Sequence, residues 1–427
     1  LLPKPNIPAA NKERPNAMKQ FFRGPMPFLC IGHSFDHMLI LLFATVIVVG
    51  PLQSDFGMSY GQLIGLAWLG FVLFGAGAPL AGWLADRWSS VGTMTVFFVG
   101  IGASAIMAGM ATSAWEIGIA LSSIGLFASI YHPVGIPMVI RAAGQHRGKM
   151  LGVNGVFGSL GMASAAIIAE VLTFAINWRA AFIVPGAASV LVGIWFYLRC
   201  RGLNLDVSRA KANEHASLKD FVAEFGLAPF LRLMGLLALL TFCMGMVFQA
   251  MTVSLTQVVD LRVDMPLVLL VGAGGLTSII LAVAGGAQLI GGVLADKYPL
   301  KRLFLLTYGL MAPALLLCAT AADGTMVFSL FMVMAVTVGT QPVSDALFGK
   351  YVPQRWINTA FGLRFAISLC SSAAALPLVG LVFDTTGDFF HLFLVLAVFA
   401  AIAITAIALL PTPADEERAR PAAVPAE

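Results

Sequence analysis

Apolar residues fill this chain in long runs separated by short polar loops, and each run has the length an α-helix needs to cross the ~30 Å hydrocarbon core of a bilayer. The runs predict spans 1 to 12 at 27–50, 61–84, 92–112, 115–140, 148–172, 180–199, 230–257, 267–294, 302–321, 325–349, 356–382 and 389–410. Only one polar interruption is long, Cys200 to Pro229, and it leaves six spans on either side. The expected architecture is an all-α membrane protein. It has an N-terminal tail at 1–26, a six-helix bundle at 27–199, a linker at 200–229, a second six-helix bundle at 230–410 and a tail at 411–427. Within the linker, Ser217 to Phe225 spaces its apolar residues helically and is expected to lie along the membrane surface. The last tail, with Asp415-Glu416-Glu417-Arg418 among Ala and Pro, is expected to be disordered.

Two phrases recur at half-chain distance. Gly82-Trp83-Leu84-Ala85-Asp86-Arg87 closes span 2, and Gly292-Val293-Leu294-Ala295-Asp296-Lys297 closes span 8, 210 residues later (292 − 82). That offset is too long for a solenoid period and indicates a duplicated half-molecule, an arrangement typical of membrane transporters. His132-Pro133-Val134 in span 4 is echoed by Gln341-Pro342-Val343 in span 10, so these spans are equivalents. A proline inside a helix removes one backbone hydrogen bond and bends the rod. The freed carbonyl can face a cavity, which marks the substrate region; plain kinks without ligand contact are the alternative.

Composition agrees with the bilayer: 59% of residues are hydrophobic and 11% charged, with a mean hydropathy of +0.91, against about a quarter charged in soluble domains. Of 25 Lys and Arg residues, 22 fall in alternate loops; Arg179 and Arg262 lie on the opposite side, and Arg364 lies inside span 11. The positive-inside rule then places both termini in the cytoplasm of a multi-pass inner-membrane protein. The net charge of +4 expresses this bias and not a nucleic-acid partner. Five cysteines without metal spacing predict no disulfide. Residues 1–26 lack the form of a cleavable signal peptide, and Met18 is a candidate start that sets residues 1–17 aside from functional reasoning.

Span 1 holds the sharpest chemistry. His33, Asp36 and His37 stand at i, i+3 and i+4, on one helix face, with His33 ~9 Å from the starting end of its span. His132, counted back from the end of span 4, falls ~12 Å from the same side, so the four can share a cavity. Ionisable groups inside a membrane are functional by default, and imidazole titrates within the range a proton gradient covers. A hydrogen-bonded structural cluster is one alternative. A metal site is another, since two His and one Asp at this spacing can ligate an ion, but no further ligand motif accompanies them and no metal or cofactor is expected. Arg364 lies ~12 Å into span 11; Asp345 is its nearest partner in depth, with Gln341 on the same face of span 10. Arg364 facing the histidines favours an anionic substrate; a closed Arg364–Asp345 structural pair is the alternative. Tyr131, Gln249 and the Met244, Met246, Phe242 and Phe248 side chains of span 7 are candidate cavity contacts, or packing. Glu170 reads as a gate or an interfacial carboxylate, and the stripe Gly152, Gly155, Gly158 and Gly161 as close helix packing.

On the two loop phrases, together with Trp178-Arg179 and Phe182 at the start of span 6, the chain from about Pro27 to Leu410 resembles the major facilitator superfamily. The resemblance implies two six-helix bundles related by a pseudo-two-fold axis and working by alternating access. The basic pair that closes the first loop motif is replaced by Trp88-Ser89-Ser90-Val91, whereas Lys301-Arg302 stands in the second copy. It also implies that Asp86 holds the N-terminus of span 11 when the cytoplasmic side is shut, with Arg141 as second partner. Asp296 and Lys350 would be the counterparts, and Gly82, Arg87, Gly292 and Lys297 complete the gating loops. A topology anchor is the alternative. His33 and Tyr131-His132-Pro133 are similar to the fosmidomycin-resistance type of drug exporter, although Asp36-His37 stands where Asn-Asp belongs and span 5 lacks the Gly-Pro phrase of drug/proton antiporters. The expectation is a monomeric secondary transporter of a small organic molecule, exporting against protons. Proton symport that imports an organic anion is the runner-up. A membrane enzyme lacks its nucleophile-base or metal motif, and a sensor or scaffold has no use for an ionisable cluster at mid-membrane.

Overall fold

The structure is a computed structural model that describes residues 24–143, 147–203, 227–351 and 357–411. The N-terminal tail to residue 23, the expected surface helix at Ser217–Phe225 and the expected disordered tail beyond Pro411 lie outside the described residues. Eleven described helices are long and apolar enough to span a membrane, and a bent pair, Tyr60–Ala76 with Ala78–Arg87, supplies a twelfth. The predicted spans are therefore present. Span 2 departs from its expected single rod: it breaks at Ala67 and again at Gly77, where the two parts diverge by 44°.

Several span starts follow from local chemistry. Ser59, Ser89, Ser113 and Asn177 each cap the helix that follows, the side-chain oxygen accepting a first-turn N–H. Ser59 forms a capping box with Gln62. The proline echo interrupts both equivalent spans. Span 4 passes from Ala114–Ala128 through a π-turn at Tyr131–Gly135 into Ile136–Ala143, and span 10 breaks between Asp323–Gly339 and Gln341–Tyr351. The outer surface is apolar, with Leu269, Leu270 and Phe174 largely exposed, as a lipid-facing wall requires. Spans 2 and 4 meet backbone to backbone, because a Cβ on Gly125 would come within 1.9 Å of the Gly70 carbonyl oxygen.

The near end of the molecule is the one at which span 1 begins, span 12 finishes and the two loop phrases sit; the far end lies opposite. Arg179 and Arg262, the two cations that break the loop bias, occupy equivalent places at the far end. Arg179 donates to the carbonyls of Gly109 and Ala111 at the end of span 3. Arg262 donates to those of Cys318 and Ala319 at the end of span 9. Each satisfies orphan carbonyls at a helix C-terminus, where positive charge is also favoured by the dipole. Arg262 adds an ion pair with Asp388. Partial burial pushes the Asp388 carboxyl up, but the Arg262 hydrogen bond and the Phe390 N–H outweigh it and hold the group below the ordinary aspartate range.

The two halves are joined at the far end. Ser59 Oγ donates to Asp384 Oδ2 at 2.6 Å, and the Gly61 N–H donates to Asp384 Oδ1 at 2.9 Å, so the end of span 11 caps the start of span 2. Glu170 on span 5 accepts from the Gly275 N–H of span 8 at 2.7 Å. Its carboxylate fills the space beside Gly272, whose φ of 75° lies in the left-handed region. Thr45 and Thr256 pair at 3.0 Å between spans 1 and 7.

Candidate functional site

Span 1 presents His33, Asp36 and His37 to the turn in span 4 that carries His132. One nitrogen from each histidine lies within 4.8 Å of the others, and His132 Nε2 stands 3.4 Å from Asp36 Oδ2. The π-turn brings this about: it widens span 4 at Tyr131–Gly135 and turns His132 toward span 1. Asp36 is fully buried, and neither of its carboxylate oxygens makes a hydrogen bond. His33 is fixed from three sides. Its Nδ1 meets the Asn154 backbone oxygen at 2.8 Å, its ring stacks on Tyr131 with centroids 4.8 Å apart, and Gly158 leaves the room it occupies, since a Cβ there would lie 2.7 Å from His33 Cε1. A carbonyl only accepts, so Nδ1 carries the proton and Nε2 carries the lone pair. That Nε2 is buried and unpartnered.

The glycine stripe on span 5 thus divides. Gly158 and Gly161 admit span 1, Gly161 against the Ser34 backbone, while a Cβ on Gly152 or Gly155 would meet nothing within 4 Å. Close packing explains half of the stripe only. Tyr131 does not reach the cavity, contrary to its expected place among the substrate contacts. It is fully buried behind His33, its hydroxyl donating to the Leu29 carbonyl at 2.7 Å and receiving the Asn154 amide at 2.7 Å. Asn154 is the member of the site that sequence reasoning missed; its signal is a lone amide inside an apolar, glycine-rich span.

Beside the cluster lies a cavity of about 280 Å³ between the halves, lined by His37 and His132 from one half and by Gln249, Gln341, Asp345 and Arg364 from the other. Phe71, Phe74, Met244, Phe248 and Phe365 form its apolar wall. A second, apolar cavity of about 350 Å³ adjoins it, sharing Phe74, His132, Phe365 and Leu369. Arg364 donates to Asp345 Oδ1 at 2.5 Å and to Ser344 Oγ at 3.0 Å. The closed pair weighed above is therefore present, but it is asymmetric. The Arg364 side chain is 12% exposed and that of Asp345 56%, so the carboxylate is the partner that solvent or a ligand can displace.

The gating residues lie apart from this cavity at the near end. Asp86, Arg87, Asp296 and Lys297 are exposed, and the two loop phrases repeat the same order of buried and exposed positions from Ala81 to Trp88 and from Gly291 to Tyr298. Arg87 stacks over Trp83, and Lys350 lies over the Tyr351 ring. Gly82 faces Pro133, Gly292 has open space, and Arg141 is exposed at the end of span 4. The start of span 11 at residue 356, which Asp86 is expected to hold, lies outside the described residues. Glu170, by contrast, bridges the halves at the far end.

A family model described as Major Facilitator Superfamily matches residues 29–287 and 277–426. Among solved structures, a bacterial homologue of the human lysosomal transporter Spinster, inward-facing and occupied, superposes with a TM-score of 0.69 at 14% identity, covering 90% of this chain and 95% of that one. The unoccupied form of the same homologue gives 0.66 at 16%, with coverage of 90% and 95%. A point mutant of the nucleoside transporter NupG gives 0.70 at 14%, with coverage of 90% and 99%. A search of curated protein sequences finds no match.

Proposed function

The chain belongs to the Major Facilitator Superfamily and is a transporter, not an enzyme, and on that premise we propose that it exports a small organic molecule by proton antiport. The observation that carries this reading is the cavity wall. His37 and His132, from the half that holds Asp36, face Arg364, Asp345, Gln341 and Gln249 from the other half across about 280 Å³. A substrate with an anionic group and an apolar body suits that wall: its anion exchanges with the exposed Asp345 for the planar fork of Arg364, and its body meets the aromatic and methionine side chains.

The coupling step follows from the cost of an uncompensated buried charge. The Asp36 carboxylate has no hydrogen bond, so a proton on its neighbour His132, 3.4 Å away, turns a buried anion into a neutral pair. A cavity that takes up this proton from one side and loses it to the other couples the gradient to the change of access. The closed end then faces outward: Asp384 and Glu170 bind the halves together there, and Asp86 and Asp296 become the latches of the other state. The finer reading is an exporter like the fosmidomycin-resistance type, acting as a monomer in the inner membrane with both termini in the cytoplasm. Symport that imports an organic anion is the second reading, favoured by Arg364 in the wall and by a span 5 without proline.

The test is a proton-flux measurement in weakly buffered proteoliposomes carrying an internal pH dye. External substrate should drive protons outward under antiport and inward under symport. Uptake of substrate with no pH change at all would overturn proton coupling under both readings.

A further inference from the structure

We propose that His33, His37, His132 and Asp36 form a binding site for one divalent transition-metal ion of the zinc or cobalt type. In the sequence, two histidines and one aspartate share a face of span 1, too few for a closed site. The fold adds a third imidazole from span 4, and the three imidazole donors lie within 4.8 Å of one another. Donors around a tetrahedral zinc are separated by about 3.3 Å, so binding would draw His37 and His132 in toward the fixed His33 by about 1.5 Å. Asp36 stands outside this set of three donors, but its Oδ2 lies 3.4 Å from His132 Nε2, and its carboxylate would turn in to take the fourth position.

A second observation, independent of the clustering, points the same way. His33 Nε2 and Asp36 Oδ1 are buried with no hydrogen-bond partner, and Asp36 Oδ2 meets only His132 Nε2, at 3.4 Å. His33 is also oriented as metal-bound histidines are: Nδ1–H donates to the Asn154 carbonyl, which fixes the tautomer and leaves Nε2 as the ligand. Stacking on Tyr131 holds the ring plane. Three neutral imidazoles and one carboxylate suit zinc, cobalt, nickel and copper, and disfavour magnesium, which prefers an all-oxygen octahedron. The carboxylate offsets part of the charge that a divalent ion brings into the membrane.

The site shares its residues with the proton-coupling reading but not its test. Tag-free protein in detergent near neutral pH is titrated with Co²⁺ and followed by visible absorption, with Zn²⁺ and Mg²⁺ as competitors. The expected result is one Co²⁺ per chain with the intense bands of a tetrahedral site, displaced by Zn²⁺ and not by Mg²⁺. His37→Gln and His132→Gln should each weaken binding at least ~10-fold, the loss that even an outer partner of a ligand brings. Asp36→Asn gives the same readout through the carboxylate should an imidazole variant not fold. Absence of saturable Co²⁺ binding, or wild-type affinity in these variants, overturns the site. Because no gradient or substrate is used, its failure leaves proton coupling standing, and loss of coupling with Co²⁺ still bound leaves the metal site standing.

Discussion

Removing the Asp384 carboxylate should open the far end. In Asp384→Ala, Ser59 Oγ loses its 2.6 Å bond and the Gly61 N–H its 2.9 Å bond, so span 2 loses a cap supplied by the other half. Both bonds involve a charge, but they are exposed, and the exchange with water reduces their worth to that of an ordinary helix cap, about 1–2 kcal/mol. The contact exists only while the far end is closed, so the whole of that energy moves the equilibrium between the two states of access. A shift of 1–2 kcal/mol changes a population ratio roughly 5–30-fold. The assay is the rate at which a maleimide labels Val253→Cys, a position buried beneath the closure, in a background with the five native cysteines replaced. Labelling should accelerate roughly 5–30-fold on adding Asp384→Ala, and less for Ser59→Ala, which keeps the Gly61 bond. An unchanged rate in a well-folded Asp384→Ala protein would refute the claim that this cap holds the far end shut.

Asp86→Asn should insert and fold as the parent does yet transport slowly, because the proposed near-end latch loses its charge; wild-type transport at equal expression would sink the latch. Arg364→Ala should weaken an anionic ligand more than a neutral one, with Arg364→Lys recovering only part of the loss, as read by thermal-shift titration; equal losses would mark Arg364 as the structural partner of Asp345. Gly158→Ala puts a methyl group 2.7 Å from His33 Cε1 and should cost about 1–3 kcal/mol as overpacking. Gly152→Ala, with open space around it, should leave the unfolding temperature unchanged or raise it, and a reversed order of the two midpoints would contradict the packing described.

The fold was legible because a bilayer imposes one simple rule, about twenty apolar residues per crossing, and because the Asp86 and Asp296 phrases betray the duplication. The helix-1 cluster was legible for the same kind of reason, since i, i+3 and i+4 is a statement about one helix alone. His132 could be placed by counting depth along two rods. What escaped depends on packing between rods. Tyr131 reads as a cavity residue next to His132, but the π-turn sends the two side chains to different places. Asn154 sits in a stripe that reads as small-residue packing, and only its contact with Tyr131 and His33 shows its role. The break in span 2 at Gly77 has a signal, Gly75, Gly77 and Pro79 in close order, that the hydropathy run conceals. The Ser59–Asp384 closure joins positions 325 residues apart, and nothing local announces it.

The central claim is that the gradient acts through the buried cluster of span 1, and it is tested most directly by gradient-driven accumulation in proteoliposomes made with Asp36→Asn or with His33→Ala and His37→Ala combined. An imposed pH gradient should no longer drive accumulation in either variant, while substrate binding and exchange without a gradient persist. Accumulation that still follows the pH gradient in both would contradict the account and move the proton site away from the Asp36–His132 pair, to Glu170 or Asp345.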